Sequence, residues 1–146
     1  MEDTKQFFIR MFGVQRMFFQ CLHTMGNSDH VHPRQGPILG ILLRGCGGSQ
    51  ADIVREMKVS AATVAVSVAR LEKLGLVTRE RNQQNQRANI LRLTEKGREV
   101  AEQMEEAMTE IGRIALEGFS QKECSVMEGY CNRMVQNLQN HFQTKE

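Results

Sequence analysis

Between residues 49 and 75, apolar side chains recur at helical spacing in two short runs. The first run, at Ile53, Val54 and Met57, places its members on one face of a helix. Ser49 precedes this run, and its hydroxyl is suited to accept a hydrogen bond from a free N–H group of the first turn. These features predict a helix that begins just after Ser49 and ends at a turn of only two residues.

The second run begins at Ser60, which is again suited to cap a helix. Its apolar positions are Val64, Val68, Leu71 and Leu74. Gly75 ends this helix, because a residue just past a helix end often needs a positive φ angle. Two short helices joined by a brief turn form a compact unit that presents the second helix to a groove.

After residue 75 the spacing changes from helical to extended. The segments 76–81 and 89–94 flank residues 82–88, which are polar and contain no large apolar side chain, so we predict a β-hairpin with a solvated tip. Thr94 is placed to cap a following helix, with Glu95 near its positive dipole end. The order helix, turn, helix and hairpin is that of a winged helix-turn-helix.

Helices are also predicted on both sides of this unit. Residues 35–43 form a short segment that is apolar nearly all round and therefore buried. Residues 4–25 hold five of the seven Phe on an apolar stripe that is too wide to be covered by one neighbour. This indicates contact with both the core and a second subunit, or the wall of a ligand pocket.

Beyond residue 97 two further helices are predicted, separated at residues 118–120. Their apolar positions are Val100, Met104, Met108, Ile111 and Ala115, then Met127, Tyr130, Met134, Leu138 and Phe142. The second of them opens on a capping box of Ser120 and Glu123.

The ordered motifs of the chain resemble the multiple-antibiotic-resistance-regulator (MarR) family of winged-helix transcription factors. The resemblance rests on VSAATVAVSVARLEKLGLVTRE and on RLTEKG, which stand before and after the hairpin tip. Gln35 matches the family Gln at the start of the second helix, and Asn85 to Arg87 stand where the family usually has Asp-x-Arg. The resemblance also implies a very short strand just before Ser49 that joins the hairpin.

The resemblance, together with the patterning, predicts a mainly α-helical single domain over residues 1–146 with a small β-hairpin wing. Residues 34–98 would be the winged helix-turn-helix, and residues 1–33 and 99–146 the dimerisation helices. A length of 146 residues with 40% hydrophobic and 25% charged residues suits one soluble domain. No apolar run is long enough to cross a bilayer and the first residues lack a basic signal start, so we expect cytoplasmic residence and no membrane partner.

Charge is distributed unevenly along the chain. Residues 49–98 contain ten Lys or Arg against five Asp or Glu, whereas residues 99–146 contain four against nine. Positive charge is thus concentrated on the predicted winged helix, as binding to phosphates requires. The partners predicted are double-stranded DNA, a second copy of the chain and a small-molecule effector.

Candidate DNA-binding residues lie on the second helix and the hairpin. They are Ser60, Ala62, Thr63, Val66, Ser67, Arg70, Arg79, Arg81, Asn85 and Arg87. Arg70 alone on that helix is able to form a bidentate contact with guanine. By resemblance, Arg87 would reach a minor groove. Two departures from the family pattern, Asn85 for an acidic residue and Val66 for a common arginine, shift affinity toward the hairpin and phosphate contacts.

Other kinds of site have less support in the sequence. There is no Gly-rich phosphate loop or nucleophile motif, so no enzyme activity and no cofactor are predicted. Metal-responsive regulation is an alternative, because four potential transition-metal ligands stand within twelve residues, although their spacing fits no known motif. These ligands are Cys21, His23, His30 and His32. A redox response through Cys21 is another alternative, and so is a protein-interaction module that kept the winged fold without binding an operator.

The sequence therefore predicts a homodimeric transcriptional regulator, most simply a repressor, on a near-palindromic operator. Each module would read one half-site, with the two recognition helices roughly 34 Å apart. The resemblance implies a small ligand, bound between the dimer helices and the winged helix, that changes this distance.

Overall fold

A computed structural model of the chain describes residues 2–25, 31–32, 35–46, 48–81 and 89–142. Within these ranges the chain forms six helices and one hairpin, which confirms the predicted fold class. The elements are α1 (Glu2–Met25), α2 (Gly36–Leu43), α3 (Gln50–Met57), α4 (Ala61–Lys73), β1 (Val77–Arg81), β2 (Asn89–Leu93), α5 (Glu95–Ala115) and α6 (Gln121–Phe142). The chain divides into two compact units, residues 1–111 and residues 112–146.

Side-chain caps set the start of α3 and of α4. The Ser49 hydroxyl accepts a hydrogen bond from the Asp52 N–H group at 3.1 Å, and the Asp52 carboxylate accepts one from the Ser49 N–H group, which forms a capping box. Ser60 accepts from the Thr63 N–H group at 3.2 Å. Lys58, in the turn between the helices, has a φ angle of 53°, and Gly75 after α4 has one of 71°, as its predicted role requires. Both predicted caps and the predicted turn are present.

The core of the first unit is built mainly from α2, α3, α4 and the hairpin. The helical side chains with essentially no exposure are Ile38, Leu39, Ile53, Val64, Val68 and Leu71. Val77 of β1 and Leu91 of β2 complete the hairpin side of this core. The predicted apolar faces of α2, α3 and α4 therefore meet one another.

The hairpin pairs β1 with β2 in antiparallel register, with Val77 opposite Leu93 and Arg81 opposite Asn89. Ser49 adds an isolated bridge to Ile90, and the Gly48 carbonyl accepts a hydrogen bond from the Leu91 N–H group. The segment before α3 thus joins the hairpin as a third, minimal strand, as the resemblance implies.

Hydrogen bonds of Thr94 connect the start of α5 to the turn that follows α4. Thr94 caps α5 by accepting from the Gly97 N–H group at 2.9 Å, and its own hydroxyl donates to the Gly75 carbonyl at 2.7 Å. A Cβ atom on Gly97 would lie 1.8 Å from the Leu76 carbonyl oxygen, so only glycine permits this approach.

The buried face of α5 differs from the predicted one. Ala101, Ala107 and Gly97 are buried with Met104 and Ile111, whereas Met108 is 44% exposed. The reason is the close packing of α5, which favours small side chains at the contact. A prediction from hydrophobicity places large apolar residues such as Met in the core and underestimates the burial of Ala and Gly.

Large apolar side chains remain exposed on α1 and on α6. In α1 only Leu22 is buried, and Phe18 and Phe19 pack partly against the core. The exposed apolar residues of α1 are Phe7, Ile9, Met11, Phe12, Val14, Met17 and Met25. No residue of α6 is buried, and Tyr130, Leu138 and Phe142 are each more than half exposed. Among the helices described, none is both long and apolar enough to cross a membrane.

Candidate nucleic-acid interface

The outer face of α4 is the centre of the candidate site. Ala62, Thr63, Val66 and Arg70 are exposed on this face, and the Val66 side chain, with 55% exposure, lies in its middle. Ser67 is only 8% exposed because it lies toward the core side of α4. The chain folds this way because the capped helix buries its opposite face, at Val64, Val68 and Leu71, in the core that it shares with α3 and β1.

An open cleft of about 630 Å³ runs along this face of α4. It is lined by Ala62, Thr63, Val66, Ser67 and Arg70 together with His32 and Gln35. Five of the six predicted α4 candidates thus line one cleft. The sixth, Ser60, caps the helix, and its hydroxyl lies 2.8 Å from that of Thr63.

His32 and Gln35 are cleft residues that sequence reasoning did not assign to the interface. Gln35 is 4% exposed, and its side-chain oxygen accepts a hydrogen bond from the His32 N–H group at 3.2 Å. This contact is local to the segment before α2, and both of its residues line the same cleft as the α4 side chains. The available signal was Gln35 itself, a polar residue immediately before a buried apolar helix.

The arginines of the candidate site differ in their surroundings. Within the described residues, Arg70 and Arg81 have no ion-pair or hydrogen-bond partner. Arg79 instead donates from Nε to both carboxylate oxygens of Glu72, each at 2.9 Å, and from Nη1 to the side-chain oxygen of Gln50 at 2.8 Å. Arg70 and Arg81 are thus available for an external anion, whereas Nε and Nη1 of Arg79 are engaged within the protein.

The predicted hairpin-tip residues Asn85 and Arg87 lie outside the described residues, as does His30 of the proposed metal set. Cys21 is half-buried and packs against the core near the end of α1, where His23 is exposed. His32 belongs to the α4 cleft. Across the described ranges, no group of three or more His, Cys, Asp or Glu is placed to hold a metal ion, and all four cysteines are free thiols.

Carboxylates near the candidate site are held in specific contacts. The hydrogen bonds that Asp52 accepts from the Ser49 hydroxyl and N–H group, aided by Arg55, lower the pKa of Asp52 below its ordinary value of 3.8. Glu80 of β1 pairs with Arg92 of β2 at 2.5 Å. Asp52 and Glu80 are therefore both engaged by local partners.

Comparisons with known proteins agree with this architecture. Residues 31–88 match the model of the MarR family. YwhA, an HTH-type transcriptional regulator of Bacillus subtilis, is 35% identical over 75 residues, which are 51% of this chain and 54% of that protein. The chain spans about half the length of the curated relatives it matches.

Solved structures are similar over most of the chain. The Staphylococcus aureus MepR–DNA complex has a TM-score of 0.77 and 24% identity, covering 91% of this chain and 96% of that one. The heme sensor PefR of Streptococcus agalactiae, solved with heme, has a TM-score of 0.69 and 19% identity, covering 94% and 95%. At these identities the likeness establishes the fold.

Proposed function

The winged-helix segment of this chain belongs to the MarR family, and on that premise we propose that the protein is a sequence-specific DNA-binding transcriptional regulator. It acts in the cytoplasm as a homodimeric, ligand-responsive repressor on a near-palindromic operator. The observation that carries the proposal is the outer face of α4, where five predicted contact residues line one cleft and Arg70 has no partner among the described residues.

In the proposed complex α4 enters the major groove. Arg70 is long enough to reach a guanine edge and forms two hydrogen bonds with it. Ala62 and Val66 are small or apolar and exposed, so they suit contact with thymine methyl groups. Base readout on this face therefore combines one charged contact with apolar ones.

Phosphate contacts supply much of the affinity. Arg81 at the end of β1 is exposed and without a partner among the described residues, and residues 49–98 carry twice as many cations as anions. When such cationic side chains bind phosphates, they release counterions from the DNA, so the affinity falls steeply as the salt concentration rises. Arg87 extends the same contact set into the adjacent minor groove.

The homodimer is supported by the apolar side chains that α1 and α6 leave in water. Phe12, with 61% exposure, and Phe142, with 68% exposure, are far more exposed than large aromatic residues of a stable monomer usually are. Burial of these faces against a second copy would remove that surface from water. The two copies would then place their recognition helices roughly 34 Å apart, one turn of DNA.

A small effector is proposed to release the operator. It needs only to favour the dimer spacing that does not fit DNA by a few kcal/mol. The heme bound by a protein of the same fold supports an effector site in this architecture, and the identity of the effector is open to a thermal-shift screen followed by the DNA-binding assay.

The primary test is binding of the purified protein to the DNA upstream of its own gene, with a scrambled duplex of equal length as competitor. We expect selective binding that weakens steeply as salt rises. Arg70→Ala should weaken selective binding by roughly tenfold, since a bidentate guanine contact contributes about 1–3 kcal/mol. Lys73→Ala, on the same helix but outside the cleft, is the matched control and should retain the selectivity.

Equal affinity for both duplexes at every salt concentration would contradict the proposal and would favour a protein-interaction module. Sedimentation velocity provides the separate test of assembly. We expect a dimer for the wild type, and Phe12→Glu should shift the population to monomer. A monomeric wild type that still binds one half-site would leave DNA binding in place and remove the symmetric operator.

A further inference from the structure

We propose that Arg79 is a positioning residue that sets the angle of the hairpin to the recognition helix, rather than one that contacts DNA. Its contacts with Gln50 and Glu72, here called the Arg79 clamp, connect β1 to the start of α3 and the end of α4. This inference rests on the proposed function, because it concerns how two DNA-reading elements are held relative to each other.

The strand register turns Arg79 toward the helices. Arg79 lies two residues after Val77 and directly opposite Leu91, and both of these apolar side chains are 2% exposed. Positions two apart on a strand, and directly opposed positions on paired strands, share one face. Arg79 therefore lies on the core-facing side of the hairpin, at the boundary between apolar and polar surroundings.

The clamp uses the shape of the guanidinium group. One N–H group at Nε meets the Glu72 carboxylate while another at Nη1 meets Gln50, so a single planar group contacts two helices. The side chains of Arg79 and Glu72 are each about one-third exposed, which lowers the solvent screening of their ion pair. Lysine carries the same charge but lacks the rigid fork, so it cannot make both contacts in this geometry.

The position of the clamp matters because α4 is proposed to enter the major groove while Arg81 of β1 contacts phosphates. Leu74, Gly75 and Leu76 alone separate the end of α4 from β1, and Arg81, which has no partner among the described residues, lies two residues beyond Arg79 on the same strand. A change in the hairpin angle would displace Arg81 from the phosphates while α4 stayed in its groove. Affinity would then fall without the loss of a contact made by Arg79 itself.

The first experiment separates positioning from direct contact by charge-conserving substitution. Operator affinity is measured against salt concentration for Arg79→Lys and Arg79→Ala. The clamp predicts that both variants lose affinity by roughly tenfold and to a similar extent, with a similarly reduced salt slope, because both displace Arg81 from the phosphates. If Arg79→Lys binds like the wild type while Arg79→Ala has a slope shallower by about one per half-site, Arg79 contacts phosphate and the proposal is wrong.

The second experiment uses the acidic partner, for which the chain offers a matched control. Glu72→Ala and Glu80→Ala each remove one carboxylate from the basic module, and this alone should strengthen DNA binding. Glu80 pairs within the hairpin, with Arg92, whereas Glu72 belongs to the clamp. We expect weaker binding for Glu72→Ala only, and no additional loss when it is combined with Arg79→Ala. Equal gains in both single variants would overturn the proposal.

A measurement on the protein without DNA tests the clamp independently of the proposed DNA binding. Amide hydrogen exchange along β1 should be several-fold faster in Arg79→Lys and Glu72→Ala than in the wild type, and unchanged in Glu80→Ala. A wild type without operator preference would refute the proposed function, and the exchange rates would still decide whether the clamp holds the hairpin. Unchanged exchange in all three variants would reject it.

Discussion

The winged-helix module, formed by α2, α3, α4 and the hairpin, buries its apolar side chains to a greater extent than helices α1 and α6 do. In the module, α2, α3, α4 and the hairpin enclose fully buried residues such as Ile53 and Leu71. In α6 no residue is buried, and Leu138 is 53% exposed. The module therefore buries most of its own apolar side chains, whereas α6 and most of α1 leave large apolar side chains exposed, and these are the surfaces that the proposed second copy would cover.

In the proposed dimer, this contrast would combine a rigid DNA-binding module with more adaptable dimerisation helices. The core of the module is aliphatic and closely packed, which holds α3 against α2 and α4. The helices outside it carry Met and Phe at exposed positions, and flexible Met side chains adapt to more than one arrangement. A ligand would thus change the spacing of two modules more easily than the structure of either one.

The largest effect is expected from truncation of a buried leucine. Leu71→Ala should lower the free energy of unfolding by about 4 kcal/mol at every protein concentration, because it leaves a cavity in a fully enclosed core. Leu138→Ala is the matched substitution on α6 and should matter only at concentrations at which the dimer forms. Urea unfolding at two protein concentrations a hundredfold apart measures both. A concentration-independent loss in Leu138→Ala would show that α6 is packed within its own chain.

The next effect concerns two glycines of α5. Gly97→Ala should destabilise the protein by about 2–3 kcal/mol, since the new methyl group would overlap the Leu76 carbonyl oxygen, which belongs to the backbone and cannot rotate away. A Cβ atom at Gly112 meets nothing within 4 Å, so Gly112→Ala should stabilise the helix by about 0.5 kcal/mol. Thermal unfolding compares the pair. A tolerated Gly97→Ala would contradict the close approach of α5 to the end of α4.

A smaller effect distinguishes two capping boxes of the same chemistry. Ser49→Ala removes the box that begins α3 and should lower the free energy of unfolding by about 1 kcal/mol. Ser120→Ala removes the box that begins α6. If α6 is stabilised mainly by assembly, this substitution should increase local hydrogen exchange at the start of α6 more than it lowers global stability. Equal losses of global stability would place both helices in one cooperative unit.

The smallest effect is a pH dependence of these boxes. Hydrogen bonds from Ser49 lower the pKa of Asp52, and hydrogen bonds from Ser120 lower the pKa of Glu123. A lowered carboxyl pKa stabilises the folded state above the ordinary value, 3.8 for Asp52, and the contribution is lost as the pH falls through the folded-state pKa. Wild type and Asp52→Asn should therefore differ in stability at pH 6 and converge as the pH falls below 3.8. A constant difference would reject the ionised cap.

Most of the fold follows from local chemistry that is visible in the sequence. The Ser49 and Ser60 caps, the positive φ angle at Gly75 and the change from helical to extended spacing each depend on a few adjacent residues. The predicted strands 76–81 and 89–94 differ from β1 and β2 by one residue at one end of each. Such signals are strong because capping and turn geometry are satisfied within three or four positions.

Features that depend on contacts between distant segments could not be predicted in this way. Gln35 and the α4 side chains line one cleft although they are far apart in the sequence. Arg79 contacts Glu72, which is 7 positions away, and Gln50, which is 29 positions away. Arginine in a basic hairpin gives the same pattern whether it points to solvent or to a neighbouring helix. The close packing of Ala101 and Ala107 was missed for the related reason that small residues give a weak hydrophobic signal.

The hairpin also bears on how the protein avoids unwanted self-association. A sheet of two strands has two open edges, and unpaired edges readily add strands from other molecules. Gly48 and Ser49 occupy part of the outer edge of β2 through their bonds to Leu91 and Ile90, and β1 is rich in the charged side chains Arg79, Glu80 and Arg81. The hairpin is therefore a poor template for the addition of strands from other molecules.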